Sequence, residues 1–405
     1  MNRQRVLVIG LNYAPEHTGI APYTAGMAAG LARDFDVDVL TVHPHYPEWR
    51  VADGYGGWRR REVVDGVRVS RVRHYVPTNP TGLSRVVSEA SYAARALAPS
   101  VPRPDVIITV TPALAPVASA LALGKRWRVP VGVVVQDLYS KAFAELGIAG
   151  GRLDDGAHRF ERALLRRADG VVTIHDRMAD VAARDFGLHR DEITVIPNWT
   201  HVEPPTGDRD ARRKELGWDD GRLTVVHAGN MGAKQGLEHL VPVARLIDER
   251  DLPIRLVLVG NGGQRPQLEE QAQGTRSLEF WDALPGDTFM DTLAAADALL
   301  LHERPGMKEM CVPSKLTTYF AAARPVVAAT EAESAAAFEV AASGAGVVVR
   351  PGDAPALVTQ LEALRDQDLQ GAGQRGLAYA RRTLDEGRAL DDYRVWVSSL
   401  LSGKR

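Results

Sequence analysis

Cysteine is almost missing: Cys311 is the only one in 405 residues. No disulfide can close within the chain, which suits a reducing compartment and excludes a small disulfide-stapled scaffold. Long apolar runs are missing too. No stretch approaches the roughly 20 apolar residues of a membrane-spanning helix. The opening run Val6–Leu11 is broken by Asn12, Pro15 and Glu16, so the start does not read as a signal peptide. A strong net charge is also absent: 49 Lys and Arg against 51 Asp and Glu leave −2, which removes any overall reason to bind nucleic acid. These absences point to a cytoplasmic protein, at most peripheral at the inner face of a membrane. The sequon Asn198-Trp199-Thr200 then never meets the glycosylation machinery.

What is present is an ordinary globular composition, 45% hydrophobic and 25% charged. The length exceeds one ordinary core and suits two domains. Charge is uneven along the chain. Residues 1–130 carry 16 Lys and Arg against 10 Asp and Glu, and the remainder 33 against 41. A basic first part favours an anionic acceptor or a membrane surface.

Short apolar runs recur at Val6–Gly10, Val37–Val42, Val67–Val72, Val106–Val110, Val131–Val135 and Val171–Ile174. Runs apolar throughout are strands buried on both faces, and helix-length sequence between them implies a parallel sheet with crossover helices. Prolines, glycine and dense charge near 197–222 predict a linker. The pattern restarts at 224–227, 255–259, 278–280, 298–301, 326–328 and 347–349. The expected fold class is therefore α/β, with two Rossmann-like doubly wound domains facing a central cleft. The predicted boundaries are 1–200, 201–383 and a terminal helix 384–405. That helix presents Leu390, Tyr393, Val397 and Leu401 on one face, with Trp396 and Leu400 beside it, and is predicted to pack back on the first domain. In residues 83–98, Leu83, Val86, Val87, Ala90, Ala94, Leu97 and Ala98 share a helical face, read as the face that covers the sheet. The alternative lays this helix on a membrane, flanked by Arg85 and Arg95; Arg59-Arg60-Arg61 is the stronger candidate for such a contact.

Each domain opens with a strand and a glycine-bearing turn. The first reads G-L-N-Y-A-P-E from Gly10, the second G-N-M-G-A-K-Q-G from Gly229. Neither is the G-x-G-x-x-G dinucleotide fingerprint, which argues against a nicotinamide enzyme. The second turn can instead present the backbone N–H groups of Gly229 and Asn230 at a helix start, with Lys234 adding charge. Pro313 is placed as a helix start with Ser314 and Lys315 in its first turn. Amide groups, a helix dipole and Lys315 together suit a diphosphate. A carboxylate nearby, Glu309 or Glu303, suits sugar hydroxyls, so the combination suggests a nucleotide sugar. Pro242 inside the following helix predicts a kink or a later helix start.

The stretches "NYAPEHTGIAPYT" (12–24), "PHYPEW" (44–49), "GVVVQDLY" (132–139), "VIPNWT" (195–200), "GNMGAKQGLE" (229–238), "LVGNGG" (258–263) and "VPSKLTTYFAAARPVV" (312–327) occur in order over nearly the whole length. In this the chain resembles the GT4-type retaining glycosyltransferases of GT-B fold, in particular the subgroup of colanic-acid and related exopolysaccharide enzymes. The resemblance implies hexosyl or deoxyhexosyl transfer from a UDP- or GDP-linked donor to a glycan, lipid-linked acceptor, with no cofactor and no metal. It implies a front-face mechanism in which the leaving diphosphate helps take the acceptor's proton. It sets Gly229, Asn230, Lys234, Gln235, Ser314 and Lys315 around the diphosphate, and Glu309 near the donor sugar. Gly19 approaches the donor phosphate, and Asn261 and Gly262, with Trp281–Leu284, flank the base. Asp137 stands where many relatives carry a histidine near the acceptor, and His17 lies in the loop that meets donor or acceptor. Glu309, Lys315 and Asp137 are the catalytic candidates. The chain departs from many relatives at Asn230 and Gln235, where Arg and Lys are usual, and Thr318 stands where a ribose-binding glutamate is usual. A nucleotide-sugar 2-epimerase, a natural-product glycosyltransferase and a non-catalytic nucleotide-sugar binder remain alternatives.

Three features read as structural. Asp36 and Asp38 match D-x-D but sit at a strand start as two solvated carboxylates. His43 and His45 have metal-like spacing without a third ligand, and read as loop packing or an acceptor contact. Cys311 has no neighbouring base and reads as a small buried residue.

Overall fold

The apolar runs become strands that pair as parallel ladders in a computed structural model, which describes residues 3–78, 82–140, 152–200, 202, 204–307 and 314–403. Glu309, Cys311 and Pro313 lie outside the described residues. The chain divides into two compact units. Residues up to Asn198 and the helix Glu386–Ser402 form the first, and the described residues from Trp199 to Asp385 form the second.

The first unit holds β1 (Arg5–Ile9), β2 (Asp36–Val42), β3 (Arg59–Val64), β4 (Val67–Val72), β5 (Val106–Val110), β6 (Val131–Val135), β7 (Gly170–Thr173) and β8 (Ile193–Val195). Their order is β3-β4-β2-β1-β5-β6-β7-β8, and only β3 runs antiparallel to its neighbour. The second unit holds β9 (Leu223–Ala228), β10 (Ile254–Val259), β11 (Leu278–Trp281), β12 (Ala298–His302), β13 (Val326–Ala329) and β14 (Gly346–Val349), in the order β11-β10-β9-β12-β13-β14. In both sheets the order reverses beside the first strand, between β1 and β5 and between β9 and β12. Ligands of open α/β sheets bind outside the carboxyl ends of the strands at such a reversal. Strands such as β9 and β10 are buried along their whole length, because helices cover both faces.

The terminal helix Glu386–Ser402 joins the first unit as expected from its apolar face. Trp396 and Leu400 lie across β6 and β7 at Gly132 and Gly170, where a methyl would stand 2.5 Å from Trp396 Cη2 and 2.9 Å from Leu400 Cδ2 respectively. The strand surface there is bare backbone, which lets the indole settle on it. Leu390 does the same at Gly30, where a methyl would meet its Cδ2 at 2.8 Å.

Four expectations need correction. After α1 (Ala21–Leu31), helix α2 (Gly82–Ala96) does not cover the sheet with its apolar face: all seven of Leu83, Val86, Val87, Ala90, Ala94, Leu97 and Ala98 are exposed. The inward face is Ser88, Tyr92, Ala93 and Ala96. Tyr92 Oη donates to Leu40 O at 2.7 Å, and Ser88 Oγ donates to Tyr75 O at 2.7 Å. Directed hydrogen bonds decide which side faces in. Asp38 is not solvated: it is buried, and its carboxylate accepts a two-pronged pair from Arg68 at 2.9 and 2.8 Å. The stretch near 197–222 is not linker alone, since the second unit begins at Trp199. It contains the helix Arg209–Glu215 and the fully buried Trp218, which stacks on Trp281 with ring centroids 5.4 Å apart. Finally, β3 escaped the strand pattern because an exposed edge strand carries no apolar run.

Candidate functional site

The turn after β9 is fixed by its own backbone before any ligand is considered. Gly229 N donates to Val259 O at 2.9 Å, Met231 N to Asn261 O at 2.8 Å, and Gln264 N to Met231 O at 3.0 Å. These bonds join the Gly229–Gly232 turn to the Gly260–Gly263 turn at the end of β10. The approach is as close as backbone allows. Gly229 and Gly260 have φ of +128° and +135°, and a methyl at Gly260 would lie 2.1 Å from Gly229 O. Glycine is required here by both conformation and space. Arg265 Nη1 supports the same corner, donating to Gly260 O at 2.9 Å and to Asp282 Oδ1 at 2.6 Å.

Lys315 closes over this turn. Its stem lies on the bare face of Gly229, where a methyl would meet Cε at 2.7 Å. The helix Lys315–Ala321 that carries it is anchored one turn further on by Tyr319. That phenol accepts from Ala228 N at 2.9 Å and lies 3.3 Å from Leu300 O. His227, just inside, donates from Nδ1 to Leu300 O at 2.9 Å. Burial, then the positive charge of Lys315, hold its ring neutral, with a pKa well below the usual histidine value.

The candidate residues around the turn converge. The Asn230 side chain lies between Gly232 and Gly262: methyls there would meet its Nδ2 at 2.9 Å and its Oδ1 at 2.7 Å. Asn261 is exposed beside them, and its Oδ1 accepts from Gly262 N at 2.8 Å. Lys234 is half-buried, with its carbonyl accepting from Arg304 N at 2.9 Å. Ser314 is exposed at the N-cap of the Lys315 helix, so the helix begins one residue after it, not within its first turn. Thr318 is buried on that helix, and Leu284 is half-buried against the hydrophobic core beside Trp281.

The Gln235 amide oxygen has a partner inside the turn. Its Oε1 accepts from Gly232 N at 3.1 Å and braces the turn from within. Glu303 is likewise a brace: it is buried, and its carboxylate accepts from Thr330 Oγ1. The helix dipole expected at the turn also takes another form. Two 3-10 turns, Ala233–Gln235 and Leu237–His239, precede the helix Leu240–Glu249. Pro242 thus falls in the first helical turn, where its missing N–H costs no hydrogen bond.

In the first unit, Asp137 follows β6. Its carbonyl accepts from Thr111 Oγ1 at 3.0 Å, and its side chain is half-buried. The next residues are held by Glu161, which accepts from Tyr139 N at 2.8 Å and Ser140 N at 2.9 Å. Glu89, raised to about 7 by burial, accepts from Leu114 N at 3.2 Å beside the same loop. His17 and Gly19 are exposed in the loop after β1. Neighbouring Glu16 is buried, accepting from His45 N at 2.8 Å and Tyr46 N at 3.0 Å. His43 and His45 are buried, and among the described residues no group of three or more His, Cys, Asp or Glu is arranged to hold a metal. Sequence reasoning did not find Arg265, His227, Tyr319, Glu89 or Glu161; all but Arg265 act through contacts to residues more than 20 positions away.

His302 ties the end of β12 to the turn, its ring Nδ1 lying 2.7 Å from Gln235 O. Burial lowers its pKa to about 4. The stability this neutral ring lends is therefore complete above about pH 6.5, and is lost as pH falls through about 4. The full loss is on the order of 3 kcal/mol. His302→Gln keeps an N–H donor but does not titrate. Urea unfolding of the two forms between pH 7.5 and pH 4 should show a shallower decline for the variant. Parallel curves would exclude His302 as a source of acid sensitivity.

Comparison with known proteins adds to this geometry. The description "Glycosyl transferase 4-like domain" matches residues 18–199, and "Glycosyl transferases group 1" matches residues 222–367. The chain is 32% identical over 408 aligned positions to the putative colanic acid biosynthesis glycosyl transferase WcaI of Escherichia coli (strain K12), covering 96% of this chain and 98% of that protein. Among solved structures, sucrose-phosphate synthase of Thermosynechococcus elongatus superposes with a TM-score of 0.77 at 16% identity, covering 99% and 100% of the two chains. Anabaena HepE in complex with UDP-glucose does so with a TM-score of 0.68 at 16% identity, covering 98% and 99%.

Proposed function

Because the chain belongs to the glycosyl transferase 4-like family of glycosyltransferases, we propose that it moves a hexosyl or deoxyhexosyl group from a UDP- or GDP-linked sugar to a lipid-linked glycan in surface-polysaccharide assembly. In this reading the reaction retains configuration and uses no metal. One observation carries the donor assignment: Lys315 lies across Gly229 at the carboxyl end of β9, next to the β9/β12 reversal. As the bond from sugar to phosphate breaks, negative charge grows on the leaving diphosphate. Lys315, Lys234 and the Asn230 amide stabilise that charge, the Gly229, Met231 and Gly232 amides being engaged within the protein, and the departing phosphate oxygen takes the proton of the acceptor hydroxyl. Glu309 orients the donor sugar, Asn261 and Gly262 flank the base, and Asp137 and His17 serve the acceptor. The family membership and the UDP-glucose held by the Anabaena neighbour support the donor class; the likeness to WcaI supports the acceptor class.

A thermal-shift panel of nucleoside diphosphates and their sugars tests the donor. The matching donor at about 100 times its Kd should stabilise the protein by about 2.7 kcal/mol, in a concentration-dependent way. An unchanged melting temperature across UDP- and GDP-sugars would remove the assignment.

A further inference from the structure

The amino ends of β12 and β13, opposite the glycine turns, gather arginine around a single acid. Asp297 stands one residue before β12 and Arg324 two residues before β13. Leu299 pairs with Val326, so the register sets Asp297 and Arg324 side by side. The helix Arg209–Glu215 supplies two more cations. Arg209 Nη2 and Arg213 Nη1 both donate to Asp297 Oδ1, at 2.8 and 3.0 Å. The other carboxylate oxygen, Oδ2, accepts from Thr224 N at 2.8 Å. Asp297 is thereby occupied, and Arg324 has no hydrogen bond or ion pair among the described residues. Its Nε is buried without a partner, as is Arg209 Nε. Asp210 comes only to 3.9 Å of Arg209 Nη1, and its side chain is 84% exposed, where water screens it.

Three guanidinium groups thus share one carboxylate. Burial, then the charge on Arg209, pulls the Arg324 pKa below its usual value; Asp297 opposes this and Arg213 adds to it. The side chain cannot easily leave, because its backbone is clamped. A methyl at Gly373 would lie 2.0 Å from Ala323 O and 3.1 Å from Arg324 Cα, so the helix Leu369–Thr383 rests directly on this corner.

We propose that Arg324, Arg209 and Arg213 form a binding site for a phosphate-class oxyanion, either the free ion or the terminal group of a phosphomonoester. Such an anion brings acceptors to donors that have none, and negative charge to a corner with an excess of positive charge. Guanidinium forks match its oxygen atoms in geometry as well as charge. The site is separate from the donor turn. Thr224 lies near the start of β9 and Gly229 follows its end, roughly 17 Å apart along the strand. The inference goes beyond sugar transfer and does not need it.

Titration calorimetry of the full chain with inorganic phosphate tests it without any sugar donor. Binding should be saturable, and Arg324→Gln should weaken it about tenfold or more, the loss of a charge-assisted contact. Arg324→Lys keeps the charge without the fork and should fall between the two, which also guards against a glutamine variant that folds poorly. Melting curves in sodium phosphate and in sodium chloride of equal ionic strength give a second reading. Phosphate at about ten times its Kd should raise the wild type by about 3–6 °C more than Arg324→Gln. The general salting effect of phosphate acts on both proteins alike and cancels in that difference. Lys315→Ala should keep the response, which separates this site from the donor turn. Tighter binding of glycerol 3-phosphate than of inorganic phosphate would assign the site to a phosphorylated metabolite, and the reverse order to the free ion; either supports the proposal. Absence of saturable binding would overturn it. So would equal binding by wild type and Arg324→Gln, or a response lost in Lys315→Ala.

Discussion

Replacing Lys315 with alanine is expected to lower turnover by about 10²–10³-fold, the usual effect of losing one preorganised donor for developing negative charge. Stability should stay within about 0.5 kcal/mol, because the side chain is half-buried and the helix beneath is anchored by Tyr319, not by Lys315. Lys315→Arg should recover only part of the activity. The lysine stem runs across a residue with no side chain, its Cε 2.7 Å from where a methyl on Gly229 would stand. A planar guanidinium presents its charge in a different shape from that perch. Initial rates under saturating donor, with melting curves alongside, provide the measurement. Wild-type turnover in Lys315→Ala would place the leaving diphosphate elsewhere.

The second large effect is expected at Gly260. Alanine there would put a methyl 2.1 Å from Gly229 O, against backbone held by the Gly229 N to Val259 O bond, and at a φ of +135°. Overpacking and forced backbone conformation together should cost about 3–5 kcal/mol. The relaxation that relieves the clash must move Gly229, so donor stabilisation should vanish even in molecules that fold. Gly263→Ala is the matched control. A methyl at Gly263 meets nothing within 4 Å, so it should be close to neutral. Urea unfolding of both variants, with and without donor, checks the pair. Equal stability of the two would show that the turns can part without cost.

Much of the fold was legible because parallel strands covered on both faces must be apolar along their length. β4, β5 and β6 coincide with their runs, and the other apolar runs differ at their ends by one or two residues. β8 and the edge strand β3 were not legible. Ile193–Val195 is too short to form a run, and the edge strand has one face in water. In the candidate site, glycine spacing marked both turns of the second unit, and Pro242 marked the late helix start. The internal bonds of Gln235 and Glu303 were not legible, because a polar side chain beside a glycine turn has the same signature whether or not it also bonds within the protein.

The sequence alone determined the alternation of strand and helix, the division into two doubly wound units, and the position of the glycine turns at their first strands. Periodicity and backbone tolerance are local properties, and neighbouring residues suffice to set them. Tertiary structure decided that Lys315 meets Gly229 across 86 positions, that Asp38 is paired with Arg68, and that α2 turns Tyr92 inward and Leu83 outward. A hydrophobic stripe records only that two faces of a helix differ. Which face the protein takes in is settled by the hydrogen-bond acceptors waiting beneath it, here Leu40 O in β2 and Tyr75 O in the loop after β4, and those are supplied by residues outside the helix.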